Sequence, residues 1–215
     1  MTIIDYHMGN LFSVQRACEI VGLESIVTTD KSLILRSDGI ILPGVGAFGD
    51  AVDWLKRLDL IDPIKDFIDT GKPFMGICLG MQLLMRESEE FGRHKGLGII
   101  EGVVKKLQDK NGQGRRVKVP QIGWNHICKP ANKTFWDSSP LKGINGGEYM
   151  YFAHSYFTVP ESREDVLSVT DYEGNEFCST IFKKNIFACQ YHPEKSTHKG
   201  MIVYKNFADC IHEEY

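Results

Sequence analysis

The chain has 215 residues, 42% hydrophobic and 25% charged, which is apolar content enough for a sizeable core. Its net charge of −3, with no basic run longer than pairs such as Arg115-Arg116 and Lys183-Lys184, excludes a nucleic-acid binder dominated by phosphate contacts. No apolar run approaches the ~20 residues of a membrane span, the N-terminus lacks the marks of a signal peptide, and the cysteines, none in a C-x-x-C pair, read as reduced thiols of a cytoplasmic protein.

In chain order, Thr2–Ile4 predicts a short strand and residues 5–9 a loop. Asn10 is placed to cap a helix over residues 11–21, where Leu11, Val14, Ala17, Cys18 and Val21 fall at helical spacing and Gly22 is the stop. Residues 24–29 predict a β-branched strand and residues 32–36 a helical turn. Residues 39–42 predict a buried strand running into Pro43-Gly44-Val45-Gly46-Ala47-Phe48-Gly49. Helices follow over 51–57 and 63–70, the second with Asp62 as N-cap, Pro63 as first residue and Gly71 as stop. A strand then ends at Gly76-Ile77-Cys78-Leu79-Gly80, and a helix is predicted over 79–87. Strands that alternate with helices and are almost continuously apolar indicate a parallel sheet covered on both faces.

The second half changes character. Strands are predicted over residues 97–107, 117–128, 149–159, 166–172, 176–183 and 186–191, joined by turns such as Glu173-Gly174-Asn175, several of them pairing antiparallel. A last helix covers 199–211. No repeat or linker divides the chain, so residues 1–215 read as one α/β domain with a central mixed, largely parallel sheet flanked by helices.

Two short stretches carry chemistry. Glycines two before and two after Cys78 make G-x-C-x-G, the thiol form of a nucleophile elbow, in which a strained strand-to-helix turn lifts the nucleophile clear of the sheet. Its place at a helix start favours thiolate; the competing reading is a small buried core residue. A thiol nucleophile needs a base. Among histidines 7, 94, 126, 154, 192, 198 and 212, His192 is the best placed, closing a strand and opening His192-Pro193-Glu194. If the chain stays extended, Glu194 falls on the same side and can hold the imidazole tautomer. The elbow supplies the Leu79 N–H to an oxyanion hole, and Pro43-Gly44-Val45-Gly46 is flexible enough to supply a second donor, or else is a plain strand-to-helix connection.

Residues 76–82 and 190–196, Gly-Ile-Cys-Leu-Gly-Met-Gln and Gln-Tyr-His-Pro-Glu-Lys-Ser, resemble the triad-type, class I glutamine amidotransferases. Asp5-Tyr6 with Gly9-Asn10, residues 42–48, Gly123-Trp124-Asn125 and His154-Ser155-Tyr156 are similar to the glutaminase subunits of imidazole glycerol phosphate synthase. The resemblance runs over essentially the whole chain. It implies that Cys78, His192 and Glu194 form a catalytic triad acting on L-glutamine, and that the N–H groups of Val45 and Leu79 form the oxyanion hole, the first after loop rearrangement. It implies glutamine binding by Gly46, Gln82, His154, Ser155 and Tyr156. It implies ammonia transfer to a (β/α)8 cyclase subunit in histidine biosynthesis, across an interface that includes Trp124, Tyr151 and Lys195. No cofactor or metal is implied. His7, Met8 and Gln121 depart from the pattern of these subunits, and relatives of theirs feed a sugar amidotransferase of surface-polysaccharide pathways, which is the alternative acceptor. A catalytically silent redox sensor or scaffold and a γ-glutamyl peptide hydrolase are further readings.

Overall fold

The computed structural model describes residues 1–131 and 136–212. The first half contains β1 (Thr2–Ile4), α1 (Leu11–Ile20), β2 (Ile26–Thr28), α2 (Lys31–Arg36), β3 (Ile40–Gly44), α3 (Phe48–Arg57), α4 (Ile61–Asp69), β4 (Phe74–Cys78) and α5 (Leu79–Leu83). The second contains β5 (Met85–Ser88), β6 (His94–Lys95), β7 (Ile100–Lys106), β8 (Gln121–Ile127), β9 (Glu148–His154), β10 (Tyr156–Pro160), β11 (Val166–Tyr172), β12 (Asn175–Lys183), β13 (Ile186–Cys189) and α6 (Thr197–His212).

The main sheet runs β2-β1-β3-β4-β13-β12-β10-β7-β5-β6, with β11 paired on β12. From β2 to β13 all neighbours are parallel; β13–β12, β12–β10 and β10–β7 are antiparallel. Every residue of β1, β3, β4 and β13 is buried. Alternate side chains enter opposite cores, as a period of two demands: Ile4, Ile40, Leu42 and Phe74 pack on one face, Ile3, Ile41, Met75 and Ile77 on the other. This is a single α/β domain with a mixed central sheet, as the alternation predicts.

The parallel pairing positions the site. Gly44 at the end of β3 lies beside Cys78 at the end of β4, and Ile77 lies beside Cys189 at the end of β13. The Pro43–Gly46 loop, the elbow and the segment carrying His192 therefore leave the sheet at one edge, where open α/β sheets place their ligands.

Several boundaries differ from expectation. The helix predicted over 79–87 stops at Leu83, because Met85–Ser88 pairs in parallel with β7, Met85 against Ile100. A helix of five residues has little stability of its own and yields to sheet pairing. The strand predicted over 149–159 is two. β9 pairs with β8 in a separate ribbon and β10 joins the main sheet. The His154 ring bonds the Tyr156 carbonyl two residues on, at 2.9 Å, folding the backbone around Ser155. Leu60, not Asp62, is the N-cap of α4, so Pro63 is the third helical residue, still in the turn whose N–H groups lack intrahelical partners. Residues 24–29 form only the three-residue β2, and the two-residue β6 pairs with β5 where the sequence pattern predicts no strand.

Candidate active site

β4 passes into α5 at Cys78 without a loop. The reversal is made within Cys78 itself, at φ 54° and ψ −108°, a conformation that costs a non-glycine residue on the order of 1–3 kcal/mol. Its neighbours have no room for side chains. A Cβ on Gly80 would overlap the Leu42 carbonyl oxygen, and one on Gly76 would come within 3.1 Å of the Gly80 backbone. Strain of this kind persists only where packing over-determines it.

His192 reaches the elbow from the end of β13. Its Nδ1 lies 2.8 Å from Glu194 Oε1, with the two side chains 4% and 1% exposed. The extended geometry expected from the sequence is replaced by a 3₁₀ turn, Pro193–Lys195, across which the two residues meet. Ser196 secures that turn: its Oγ donates to the His192 carbonyl at 2.6 Å and accepts from Tyr151 N at 3.0 Å. With Nδ1 engaged, Nε2 remains for the Cys78 sulfur. Burial opposes charge on this imidazole, but Cys78, by charge and hydrogen bond, and Glu194 outweigh it and raise His192 to about 10. The resting pair is thus imidazolium beside sulfur. α5, with only five residues, contributes little dipole, so the base carries the activation.

A cavity of about 230 Å³ opens beside Cys78, lined among others by Val45, Gly46, Leu79, Gln82, His154, Ser155 and Tyr156. Leu79 begins α5, so its N–H is free of the helix ladder. The Val45 N–H is turned away and donates to the Met8 carbonyl at 3.2 Å. Gly46 has φ 107° and sits against the Met8 methyl, so a side chain there would both strain and collide. The Gln82 amide donates to the Tyr156 carbonyl at 2.8 Å and to Gln190 Oε1 at 3.0 Å.

Two buried residues at the site, of which Glu90 lines the cavity and Gln190 lies behind it against Cys78, are not singled out by the sequence reading. Glu90 sits in a run of polar residues, 86–90, and lies just past the end of the helix predicted over 79–87. In the fold its carboxylate is buried and accepts the Phe48 N–H at 2.7 Å. Burial raises it above the usual carboxylate range, against the lowering effect of that bond. Gln190 is fully buried and donates to Cys78 Sγ at 3.5 Å. In the sequence it is marked only as the first residue of the 190–196 stretch that carries the family resemblance, two before His192.

His154 is buried, and burial pulls its ring down to about 4, so it is neutral at physiological pH. Its Nδ1 donates to the Tyr156 carbonyl at 2.9 Å, and its Nε2 lies 3.1 Å from Gln121 Oε1. The unfolded chain takes up a proton near 6.5 and the folded chain near 4, so this contribution to stability is full above about pH 6.5 and is lost as pH falls toward 4. Chemical denaturation at about pH 7.5 and about pH 4.5 should show His154→Gln losing roughly 2.5 kcal/mol less than the parent chain between them.

Trp124 and Tyr151 face each other across the β8–β9 ribbon, ring centroids 5.9 Å apart, and Lys195 Nζ lies 5.8 Å from the Tyr151 ring. Trp124 is 49% exposed. Ile122 and Ala153, on the same faces of their strands, line the cavity, so this aromatic surface continues to the cavity mouth.

Comparison with known proteins places the chain in a family. The family described as Glutamine amidotransferase class-I matches residues 2–210. The imidazole glycerol phosphate synthase subunit HisH of Syntrophotalea carbinolica is 46% identical over 97% of this chain and 99% of its own. The subunits of that name from Rhodopirellula baltica and Aquifex aeolicus are 45% and 46% identical, over 97% and 95% of this chain and 96% and 94% of theirs. Among solved structures, a glutamine amidotransferase superposes with a TM-score of 0.71 at 16% identity, covering 98% of each chain. PurLQS from Thermotoga maritima superposes at 0.69 and 22% identity, over 97% of this chain and 96% of that one. At such identities these two speak for the fold. Among the described residues, no helix is long and apolar enough to cross a membrane. With the match spanning nearly the whole chain and the HisH subunits sharing more than two-fifths of its residues, this protein belongs to the class-I glutamine amidotransferases, in the family of the imidazole glycerol phosphate synthase HisH subunits.

Proposed function

We propose that this cytoplasmic protein hydrolyses the side-chain amide of L-glutamine and delivers the ammonia to a (β/α)8 cyclase subunit of imidazole glycerol phosphate synthase. The observation that carries the reading is the buried His192–Glu194 pair set against a strained Cys78 at the wall of an amino-acid-sized cavity. Cys78 adds as thiolate to the amide carbon. Imidazolium His192 protonates the departing nitrogen, and the neutral ring then takes a proton from the water that hydrolyses the γ-glutamyl thioester. Glu194 holds the ring in the required tautomer throughout. Leu79 N–H stabilises the oxyanion, joined by Val45 N–H once that peptide turns from Met8. Gly46, Gln82 and the 154–156 segment hold glutamine, with Glu90 opposite its α-ammonium.

The face bearing Trp124, Tyr151 and Lys195 is the docking surface for the cyclase; exposed aromatics such as these, continuous with the cavity mouth, are the residue types that anchor interfaces. The test is ammonia release from glutamine by the chain alone and with the cyclase. Low activity alone and strong stimulation by the cyclase are expected. Trp124→Ala should weaken the complex roughly tenfold or more, read by titration calorimetry. A cyclase that neither binds nor stimulates would direct the ammonia to another synthase, with the sugar amidotransferase the next to try.

A further inference from the structure

We infer that Gln190 is a catalytic residue of this site whose task is to stabilise the Cys78 sulfur as it leaves the thioester. This rests on the glutaminase reading above. Two bonds engage the Gln190 carboxamide, and a third fixes the Gln82 amide that makes one of them. Gln82 Nε2 donates to both the Tyr156 carbonyl at 2.8 Å and Gln190 Oε1 at 3.0 Å, and Gln190 Nε2 donates to Cys78 Sγ at 3.5 Å. The backbone is fixed as well, Gln190 N donating to the Ser179 carbonyl at 3.0 Å. Turning the Gln190 amide over would set its oxygen against the sulfur and its NH₂ against that of Gln82. Turning Gln82 over as well would set its oxygen against the Tyr156 carbonyl. The chain of donors therefore has one satisfied arrangement, and that arrangement aims an N–H at sulfur inside a fully buried side chain.

The two half-reactions use sulfur oppositely. In acylation the thiolate gives up its charge to form the C–S bond, so a donor on sulfur favours the starting state. In hydrolysis, water adds to the γ-carbonyl carbon and passes one proton to neutral His192. The C–S bond then breaks, its electron pair goes to sulfur, and the γ-carboxylic acid releases its remaining proton to solvent. Charge returns to sulfur in that second transition state, and a preset donor lowers its barrier. Gln190 thus acts on deacylation and keeps the acyl-enzyme from accumulating.

The experiment uses the full chain with the cyclase present. Gln190→Met keeps length and apolar packing but removes the donor. It should lower kcat roughly ten- to hundredfold, as for loss of a hydrogen bond to a charged group, and lower KM in step, leaving kcat/KM, which reports acylation, within about threefold. Acid-quenched intact-mass spectra should show Cys78 carrying a γ-glutamyl group at steady state, a species scarce in the parent chain. Gln190→Glu, which keeps the acceptor for Gln82, guards against a packing artefact. Ionised, it should show the same split; at acidic pH, where its O–H donates in place of the amide, the split should shrink. A fall in kcat/KM with KM unchanged and no adduct in either variant would overturn the inference while leaving the glutaminase reading intact. A parent chain that releases no ammonia from glutamine would overturn both.

Discussion

Cys78→Ala should lower glutamine-dependent ammonia release by at least ~10⁴-fold, because nothing else at the elbow can attack the amide. Production from added ammonium by the cyclase complex should persist, since that route bypasses the elbow. The substitution also reports on electrostatics. His192 is held near 10 against its own burial, and the Cys78 sulfur contributes more to that raise than Glu194 does. Removing the sulfur should bring the imidazole titration down, followed by NMR of its ring protons. The sign is that of a raised base. The stability His192 contributes is complete below its unfolded value of about 6.5 and is lost as pH climbs through about 10, so the variant should lose this contribution at lower pH than the parent. Retained glutaminase activity in Cys78→Ala would refute the assignment of the nucleophile.

Gly80→Ala should destabilise the fold by at least ~3 kcal/mol, although alanine is ordinarily the better helix former. The new methyl would overlap the Leu42 carbonyl oxygen, and neither the backbone of β3 nor the first turn of α5 can give way without moving Cys78. For a domain of this size that corresponds to roughly 6–12 °C in Tm. Gly112→Ala is the control: nothing lies within 4 Å of its added carbon, so its melting should stay within about 0.5 kcal/mol of the parent. Equal melting of the two variants would mean that the elbow is not packed as described.

Much of this site is legible in the sequence because it is made of backbone constraints. Gly76 and Gly80 are required by the close approach of chain to chain, and such constraints leave residue-type signatures. Asn10, which accepts Ser13 N at 3.4 Å, and Gly71 at φ 81° announce helix ends for the same reason. His192 and Glu194 are legible as a pair, but their geometry is not, since spacing by two fits a pleat and a 3₁₀ turn alike. What stays hidden depends on distant neighbours. Glu90 hides in a charged run until the Phe48 N–H, 42 residues earlier in the chain, claims its carboxylate. The break at Ser155 depends on which sheets accept β9 and β10, a tertiary choice. Gln190 has an orientation only because Gln82, 108 positions away in the chain, leaves its amide one way to point.

The bond from Val45 to the Met8 carbonyl bears on how switching would be observed. On the proposed reading nucleophile and base are already assembled, and readiness would turn on one peptide unit after β3 rather than on a hinge. Rotating that unit leaves the outline of the molecule, its radius of gyration and its helix content untouched. Scattering and circular dichroism would be blind to the change, while the amide resonances and hydrogen exchange of Val45 and Gly46 would register it directly.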